Sequence, residues 1–444
     1  MQAAGATPFF SGALAGGFEC SAHRRRDGRR LDMIAASRHD LLAAEDYAAL
    51  ARLGIRGARD GVRWHLVEAG APGCWDWRPV LPLLRGAEAA GVHVAWDLCH
   101  YGWPDGLDPF SGEFVDRFAV YAGAFARLHL QETGRAPLVC PVNEISYFAW
   151  AGADMAGMNP GTRGRGWELK RQLVRATVAA VHAMRDAAPG TRVLVCDPVI
   201  HVVPGKSRAS PAAVVAAAQG AADAIGSQWE AWDMLAGLQE PYLGGGPDMM
   251  DLVGANYYWN NQRIHRGPLL ELGDPRRRPL RNMLAALHAR YGKPVFLAET
   301  SIEGDARAAW FGHVAAEVDA AARAGVPVAG LCWYPILSHP GWADGRNCPN
   351  GLLEMQPRHG LRPVHAPLAQ AMQPYAQRGF GGVAAPGVAA PGVTAPGVTA
   401  PGVTAPGWAA SGHGLGGMGH VGGALQQAPV PGVQVGQLGA QQVE

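Results

Sequence analysis

A closed (β/α)8 TIM barrel followed by a disordered Pro/Gly-rich tail is the α/β fold class this sequence predicts, on three observations. Between Thr7 and about Arg378, short apolar runs of β type alternate with longer helical patterns, the mark of βα units around a parallel sheet. Eight such runs follow one another without interruption, which favours closure over an open sheet. From Gly379 to Val443 there is no Lys, Arg, Asp or Glu, and Pro386, Pro391, Pro396, Pro401 and Pro406 recur in an Ala-Pro-Gly-Val-Thr/Ala repeat.

The first run, Phe9 to Leu14, leads into a glycine-rich stretch, and a helical stripe over Tyr47 to Leu53 separates it from the second run, Ile55 to Arg59. The third is Val92 to Leu98. After it, Phe114, Phe118, Tyr121, Phe125 and Leu128 recur at spacings of three and four, one apolar face of a helix. The fourth run, Leu138 to Val142, precedes a helical stripe from Leu169 to Met184, and the fifth is Arg192 to Asp197. Asp251 to Asn256 and Pro294 to Ala298 make the sixth and seventh, and a stripe from Trp310 to Ala322 leads to the eighth, Val326 to Trp333.

A doubly wound nucleotide-binding sheet is the alternative, but no run is followed directly by a GxGxxG turn. The glycine clusters at Gly161 to Gly166 and Gly244 to Gly246 read as loops. Residues 1–378 therefore form one catalytic-type domain, and residues 379–444 form a low-complexity tail. Proline and glycine at this density block helix and sheet, and one valine per repeat cannot build a core, so disorder is expected. The repeat resembles elastin-like sequence in composition only.

Charge is balanced, 38 Lys plus Arg against 37 Asp plus Glu, and charged residues make up only 17% of the chain. No basic stripe points to nucleic acid and no acidic run to a cation-binding tail. Cys20, Cys74, Cys99, Cys140, Cys196, Cys332 and Cys348 show neither CxxC pairs nor zinc-like spacing, and four of them lie in apolar strand-like runs as small hydrophobes. The N-terminus lacks the basic and apolar regions of a secretory signal, and no apolar run is long enough for a membrane span. A cytoplasmic protein with reduced thiols, no membrane contact and no nucleic-acid partner is expected; the oligomeric state is left open.

Chemistry concentrates at the ends of the runs. The fourth closes on Asn143-Glu144 and the seventh on Glu299, and the mouth of a barrel is where such folds hold their active sites. Cleaving an acetal near neutral pH needs one carboxyl group to protonate the leaving oxygen and a second to attack or stabilise the sugar carbon, so the pair suggests glycoside hydrolysis. Glu19, Arg59, His100, Asn256, Tyr257 and Trp333 stand at other run ends, offering hydrogen bonds for sugar hydroxyls and a flat surface for a sugar's C–H face. Arg59 lies alone in an apolar strand, where an unpartnered guanidinium would be costly. His182 and His313 fall on helices without a HExxH arrangement, and no metal site is expected.

Taken in order, these motifs resemble the glycoside hydrolases of clan A, and within them family 1, the β-glucosidase and β-galactosidase group. The resemblance runs through Phe9-Phe-Ser-Gly-Ala-Leu-Ala-Gly-Gly-Phe-Glu19, Arg59 with Trp64, Gly91-Val-His-Val-Ala-Trp-Asp-Leu-Cys-His100, Asn143-Glu144, Asp251-Leu-Val-Gly-Ala-Asn-Tyr-Tyr258, Pro294-Val-Phe-Leu-Ala-Glu299 and Trp333-Tyr334. It spans residues 7 to 360. Four departures stand out, one of them Ala298-Glu299-Thr300-Ser301 where the family has Thr-Glu-Asn-Gly. Glu19 replaces the family's glutamine, Ile145 replaces the proline after the acid/base residue, and Ser338-His-Pro-Gly-Trp342 lacks the family's glutamate beside its tryptophan.

What the resemblance implies is a retaining β-glycosidase acting on a carbohydrate without a cofactor. Glu299 would be the nucleophile, Glu144 the acid/base, and Glu19, Arg59, His100, Asn143, Asn256, Tyr257, Tyr258, Trp333 and Trp342 the substrate-binding set. Arg59 would orient Glu299, Tyr257 or Tyr258 would donate to the same carboxylate, and Asn143 would serve the sugar 2-hydroxyl. A transglycosylase on the same scaffold and a non-catalytic carbohydrate-binding barrel are the competing readings.

Overall fold

In the computed structural model, residues 8–205, 210–355 and 361–381 are described. Eight parallel strands close on themselves: β1 (Leu14–Gly17), β2 (Gly57–Gly61), β3 (His93–Cys99), β4 (Leu138–Val142), β5 (Arg192–Pro198), β6 (Leu252–Asn256), β7 (Val295–Thr300) and β8 (Val328–Trp333). Each pairs with its sequence neighbours, and β8 returns to β1 in the register Leu14 to Leu331, Ala15 to Cys332 and Gly16 to Trp333. A helix follows each strand: α1 (His39–Arg52), α2 (Leu81–Ala90), α3 (Gly112–Thr133), α4 (Gly166–Ala187), α5 (Glu230–Leu235), α6 (Leu280–Tyr291), α7 (Arg307–Arg323) and α8 (Ala366–Arg378). A further helix, Pro211–Ser227, precedes α5. The structure thus holds the (β/α)8 barrel expected.

The first strand lies later than its sequence suggests. The apolar Phe9 and Phe10 precede the strand, and Phe10 plugs the barrel floor against Phe296 at 4.8 Å between ring centroids. The strand itself is Leu-Ala-Gly-Gly, with no apolar signal at its end, because the chain after β8 crosses it closely. A Cβ on Gly17 would stand 1.9 Å from the Tyr334 ring, and one on Gly16 would stand 2.8 Å from Ile336. Only glycine admits that approach.

Two apolar cores result. One fills the layer between strands and helices, where Trp64 stacks on Tyr121 at 5.1 Å and meets Phe114 and Phe118 of the amphipathic α3. The other fills the barrel with small residues, Ala15, Ala95, Ala298, Cys140, Cys196 and Cys332, above Phe10 and Phe296. All seven cysteines are free, and all but Cys74 are buried. Above the cysteines the barrel turns polar, and the apolar fill ends at Arg59.

A buried polar cluster ties the N-terminal part of the barrel to the C-terminal part. His39 bonds Asp46 at 2.9 Å and Asp60 at 3.1 Å, Tyr47 donates to Asp60 at 2.6 Å, and Arg362 donates to Asp46 at 2.6 Å. Burial alone would push His39 down, but Asp60 and Asp46 override it and hold the imidazolium up to about 9. Its folded value therefore exceeds its unfolded value, so the stabilisation is complete below about pH 6.5 and is lost as pH rises through 9. The melting temperature should fall across that interval, and the His39→Phe variant should lose this component of the fall. A melting curve against pH for both proteins measures it.

The described chain ends on packed residues. Phe380 lies against Tyr375 of α8 at 5.1 Å, and the Gly381 N–H donates to Asp319 of α7 at 2.8 Å. Residues 382–444, which carry the repeat and the expectation of disorder, lie outside the described residues. A chain ending at Gly381 should melt with the full-length protein, whereas one ending at Arg378 should melt lower for want of the Phe380 contact. Scanning calorimetry on the two shortened chains separates these outcomes. Among the described residues, no helix is long and apolar enough to cross a membrane.

Candidate active site

Glu144 follows the end of β4 on a sharp turn. Its φ of 48° places a non-glycine residue in the left-handed region, a cost of about 1–3 kcal/mol that the surroundings must hold in place. The Asn143 N–H donates to the Cys99 carbonyl at 3.0 Å and the Glu144 N–H to the Cys196 carbonyl at 3.1 Å, after which a short helix, Ile145–Phe148, carries the chain away. Glu299 is the penultimate residue of β7. Both side chains are buried, at 1% and 3% exposure.

The two carboxyl groups have different partners. Glu299 takes the Arg59 guanidinium on Oε1 at 2.8 Å and the Tyr258 hydroxyl on Oε2 at 2.8 Å. Glu144 takes only neutral donors, Tyr101 on Oε2 at 2.6 Å and Asn256 Nδ2 on Oε1 at 2.8 Å. Burial first, then the charge of Glu299, pushes Glu144 well above the usual carboxylate range. Burial also raises Glu299, but Arg59 opposes it. Of two coupled acids, the one without a cation keeps the proton.

Arg59 is the hub beneath both. Its Nη2 donates to Asp97 at 2.6 Å and to Asn143 Oδ1 at 2.8 Å, and its Nη1 donates also to the Ala298 carbonyl. Because a guanidinium can only donate, Asn143 must face it with oxygen, and its amide nitrogen then points to His100 Nε2 at 3.1 Å and the Tyr101 hydroxyl at 2.9 Å. His100 Nε2 is therefore an acceptor. The ring proton sits on Nδ1, which donates to Asp97 at 3.1 Å. Burial would raise Asp97, but Arg59 and His100 hold it below its ordinary value.

Cys20, Asp97 and His100 bring three possible ligand atoms within 4.8 Å of one another. The same Asp97 oxygen already serves Arg59 and the His100 N–H, so a cation there would displace a proton and sit against a guanidinium. Burial, then the negative charge of Asp97, pushes the Cys20 thiol up. The cluster has the geometry of a hydrogen-bonded ion pair.

Of the residues the sequence nominated, Glu144, Glu299, Arg59, His100, Asn143, Asn256 and Tyr258 converge. Glu19 is buried beside them, accepting from the Ser21 N–H at 2.9 Å and Ser21 hydroxyl at 2.6 Å, and its charge reaches Tyr258 and Tyr334. Trp342, half-buried, stands at the rim 4.9 Å from the His23 ring and 6.2 Å from Tyr101. Ser338 and His339, in the segment that lacks the family's glutamate, are engaged with Glu354 and Asn350 instead.

Two nominated residues turn away. Tyr257 stacks on Trp310 of α7 at 6.0 Å, and its hydroxyl accepts from Gln262 and Arg277. Trp333 packs on Phe311 of α7 at 6.1 Å and donates its indole N–H to the Asn350 carbonyl. Successive residues of a strand face opposite sides, and in both cases the next residue faces inward. Tyr258 reaches Glu299, while Tyr334 lies over Arg59 at 5.3 Å and parallel to His100 at 5.9 Å. Tyr101, Asp97 and Tyr334 are site residues the sequence reading missed. Asp97 had a signal, an acid inside an apolar run; Tyr101 and Tyr334 had only adjacency.

No family model matches this sequence, and no curated protein matches it. Solved structures do match. A family 1 β-glucosidase from Thermotoga maritima in complex with isofagomine lactam superposes with a TM-score of 0.64 at 15% identity, covering 84% of this chain and 98% of that one. The fold is that of the family 1 β-glucosidases. The T. maritima β-glucosidase in complex with azafagomine gives 0.66 at 14% identity over 84% of this chain and 98% of its own. The AHE enzyme from Alicyclobacillus herbarius gives 0.66 at 17% identity over 82% and 98%.

Proposed function

We propose that the protein is a retaining β-glycosidase, β-glucosidase-like, that hydrolyses O-glycosidic bonds by double displacement. The observation that carries this reading is the asymmetry of the two buried glutamates: a guanidinium and a phenol hold Glu299, and only neutral donors hold Glu144. One is kept as a carboxylate and the other as an acid, which is the division of labour the reaction needs. The T. maritima relative is solved in complex with castanospermine and with deoxynojirimycin, which supports a carbohydrate ligand in this barrel mouth.

In the first step Glu299 attacks the anomeric carbon while Glu144 delivers its proton to the departing oxygen. A glycosyl ester on Glu299 and a free alcohol result. In the second step Glu144, now a carboxylate, takes a proton from water as the water attacks the same carbon and the ester bond to Glu299 breaks. Asn143, held by Arg59 below and by His100 and Tyr101 beside it, would serve the sugar 2-hydroxyl by exchanging one of its two N–H bonds. Tyr334, rather than Trp333, supplies the aromatic surface beside Arg59 and His100.

The pH dependence follows from the same partners. The plot of kcat/KM should be bell-shaped, its acid limb set by protonation of Glu299 and its alkaline limb by loss of the Glu144 proton. Burial and the Glu299 charge raise Glu144, so the alkaline limb should lie well above an ordinary carboxylate value. With a dinitrophenyl glycoside the Glu144→Ala variant should lose the alkaline limb and keep the acid one. A panel of aryl β-glycosides, with the first-formed anomer read by proton NMR, tests the function itself. Turnover with a β-configured first product is expected; sugar binding without turnover would make the barrel a binding protein.

A further inference from the structure

We propose that Asp197 is the positioning residue for Glu144, its carboxylate pinning the turn that aims the acid/base group at the leaving oxygen. This rests on the reading of Glu144 given above. Asp197 lies at the end of β5, is 1% exposed, and touches neither sugar nor reacting atom by that reading. Its two oxygens accept the Ser146 N–H at 3.2 and 3.1 Å. The preceding residue, Cys196, accepts the Glu144 N–H through its carbonyl. Two successive residues of β5 therefore hold two alternate N–H groups of the segment that contains the left-handed Glu144.

The arrangement matters because the backbone at Glu144 is held against its preference. With φ at 48°, the turn relaxes unless its N–H groups are fixed, and relaxation moves the carboxyl group off Tyr101 and Asn256. A neutral amide would offer one oxygen where the carboxylate offers two, and would turn its NH2 group toward the Ser146 N–H. A carboxylate buried here adds a negative charge behind Glu144, which helps keep the acid protonated.

The charged and titratable groups around the pair are few. From α4, Lys170 faces Asp197 and is itself paired with Glu230 of α5. From the turn come the N–H groups of Ser146 and Tyr147. Glu144 is faced by Tyr101 from the loop after β3, Tyr147 from its own turn, Asn256 from β6, Tyr258 just beyond it and Glu299 from β7. Burial raises Asp197 to about 7 against the pull of Ser146 and Lys170, so its charge forms within the range where a glycosidase works.

The test uses Asp197→Asn and Asp197→Ser in the full chain, with folded sites counted by a 2-deoxy-2-fluoro glycoside that carries a dinitrophenyl leaving group. That label needs Glu299 and no acid. Per labelled site, kcat/KM on a phenyl glycoside should drop roughly 10²-fold, the order expected for a misplacement near 1 Å. On a dinitrophenyl glycoside, which departs without a proton, the loss should stay below about threefold. The alkaline limb on the phenyl substrate should move to lower pH, because the charge that raises Glu144 is gone. Equal losses on both substrates, or an unmoved alkaline limb, would assign Asp197 a purely structural part and overturn the proposal. So would failure of both variants to take the label or to match the parent's melting curve. If the parent turns over neither substrate, the glycosidase reading itself falls; if Glu144→Ala shows leaving-group dependence and Asp197→Asn matches the parent, only the Asp197 assignment falls.

Discussion

Replacing Glu299 by Ala should abolish turnover, with kcat/KM on any aryl β-glycoside down by about 10⁴-fold or more. The residue does two things that no neighbour can take over. By the proposed mechanism it supplies the oxygen that attacks, and it is the only one of the two glutamates held by a cation. Without it, Arg59 keeps Asp97 and Asn143 as partners, so the fold should survive and the melting temperature should change little. Turnover should return with a dinitrophenyl β-glycoside when formate is added, because the cavity left by the carboxylate admits formate on the α face as the aryl oxide leaves from the β face. An α-glycosyl fluoride, whose fluorine fills that cavity, should react only with an acceptor that Glu144 deprotonates on the β face. Steady-state kinetics on a dinitrophenyl β-glycoside with and without formate reads the outcome. A variant that keeps parent-like rates would place the nucleophile elsewhere.

Replacing Glu144 by Ala should give a different pattern. On a phenyl glycoside the loss should be on the order of 10²–10⁴-fold, the usual contribution of a positioned acid. On a dinitrophenyl glycoside the first step should be nearly unaffected, and the glycosyl-enzyme should accumulate because the base for the second step is missing. Added azide, which needs no base, should release the β-glycosyl azide. Burst kinetics and product NMR distinguish this from general damage, which would slow both substrates alike. Stability should rise or stay level, since a buried acid with a raised pKa is removed from an enclosed site.

Much of this site was legible in the sequence because strands buried on both faces leave few places for polar residues. Glu144 and Glu299 end apolar runs, and Arg59 stands out in one, so their meeting at one barrel mouth follows from topology. Three things were not legible. β1 carries no apolar signal where it pairs, because Tyr334 and Ile336 press against Gly17 and Gly16. Which of two adjacent aromatics faces inward depends on register, so Tyr257 and Tyr258, or Trp333 and Tyr334, cannot be told apart without it. Tyr101 enters the site through a left-handed turn, φ 67°, that no local pattern announces. Asp97 was readable in principle, as a buried acid that must find a cation.

The most direct measurement is to incubate the protein with a 2-deoxy-2-fluoro β-glycoside bearing a dinitrophenyl leaving group, then digest it and sequence the labelled peptide by mass spectrometry. The slow second step traps the covalent intermediate. The account predicts one fluoroglycosyl group per chain, on Glu299 within Pro294 to Thr300, absent in Glu299→Ala and present in Glu144→Ala. A label on another residue, or turnover of the parent glycoside that inverts the anomeric centre and leaves no label, would contradict it.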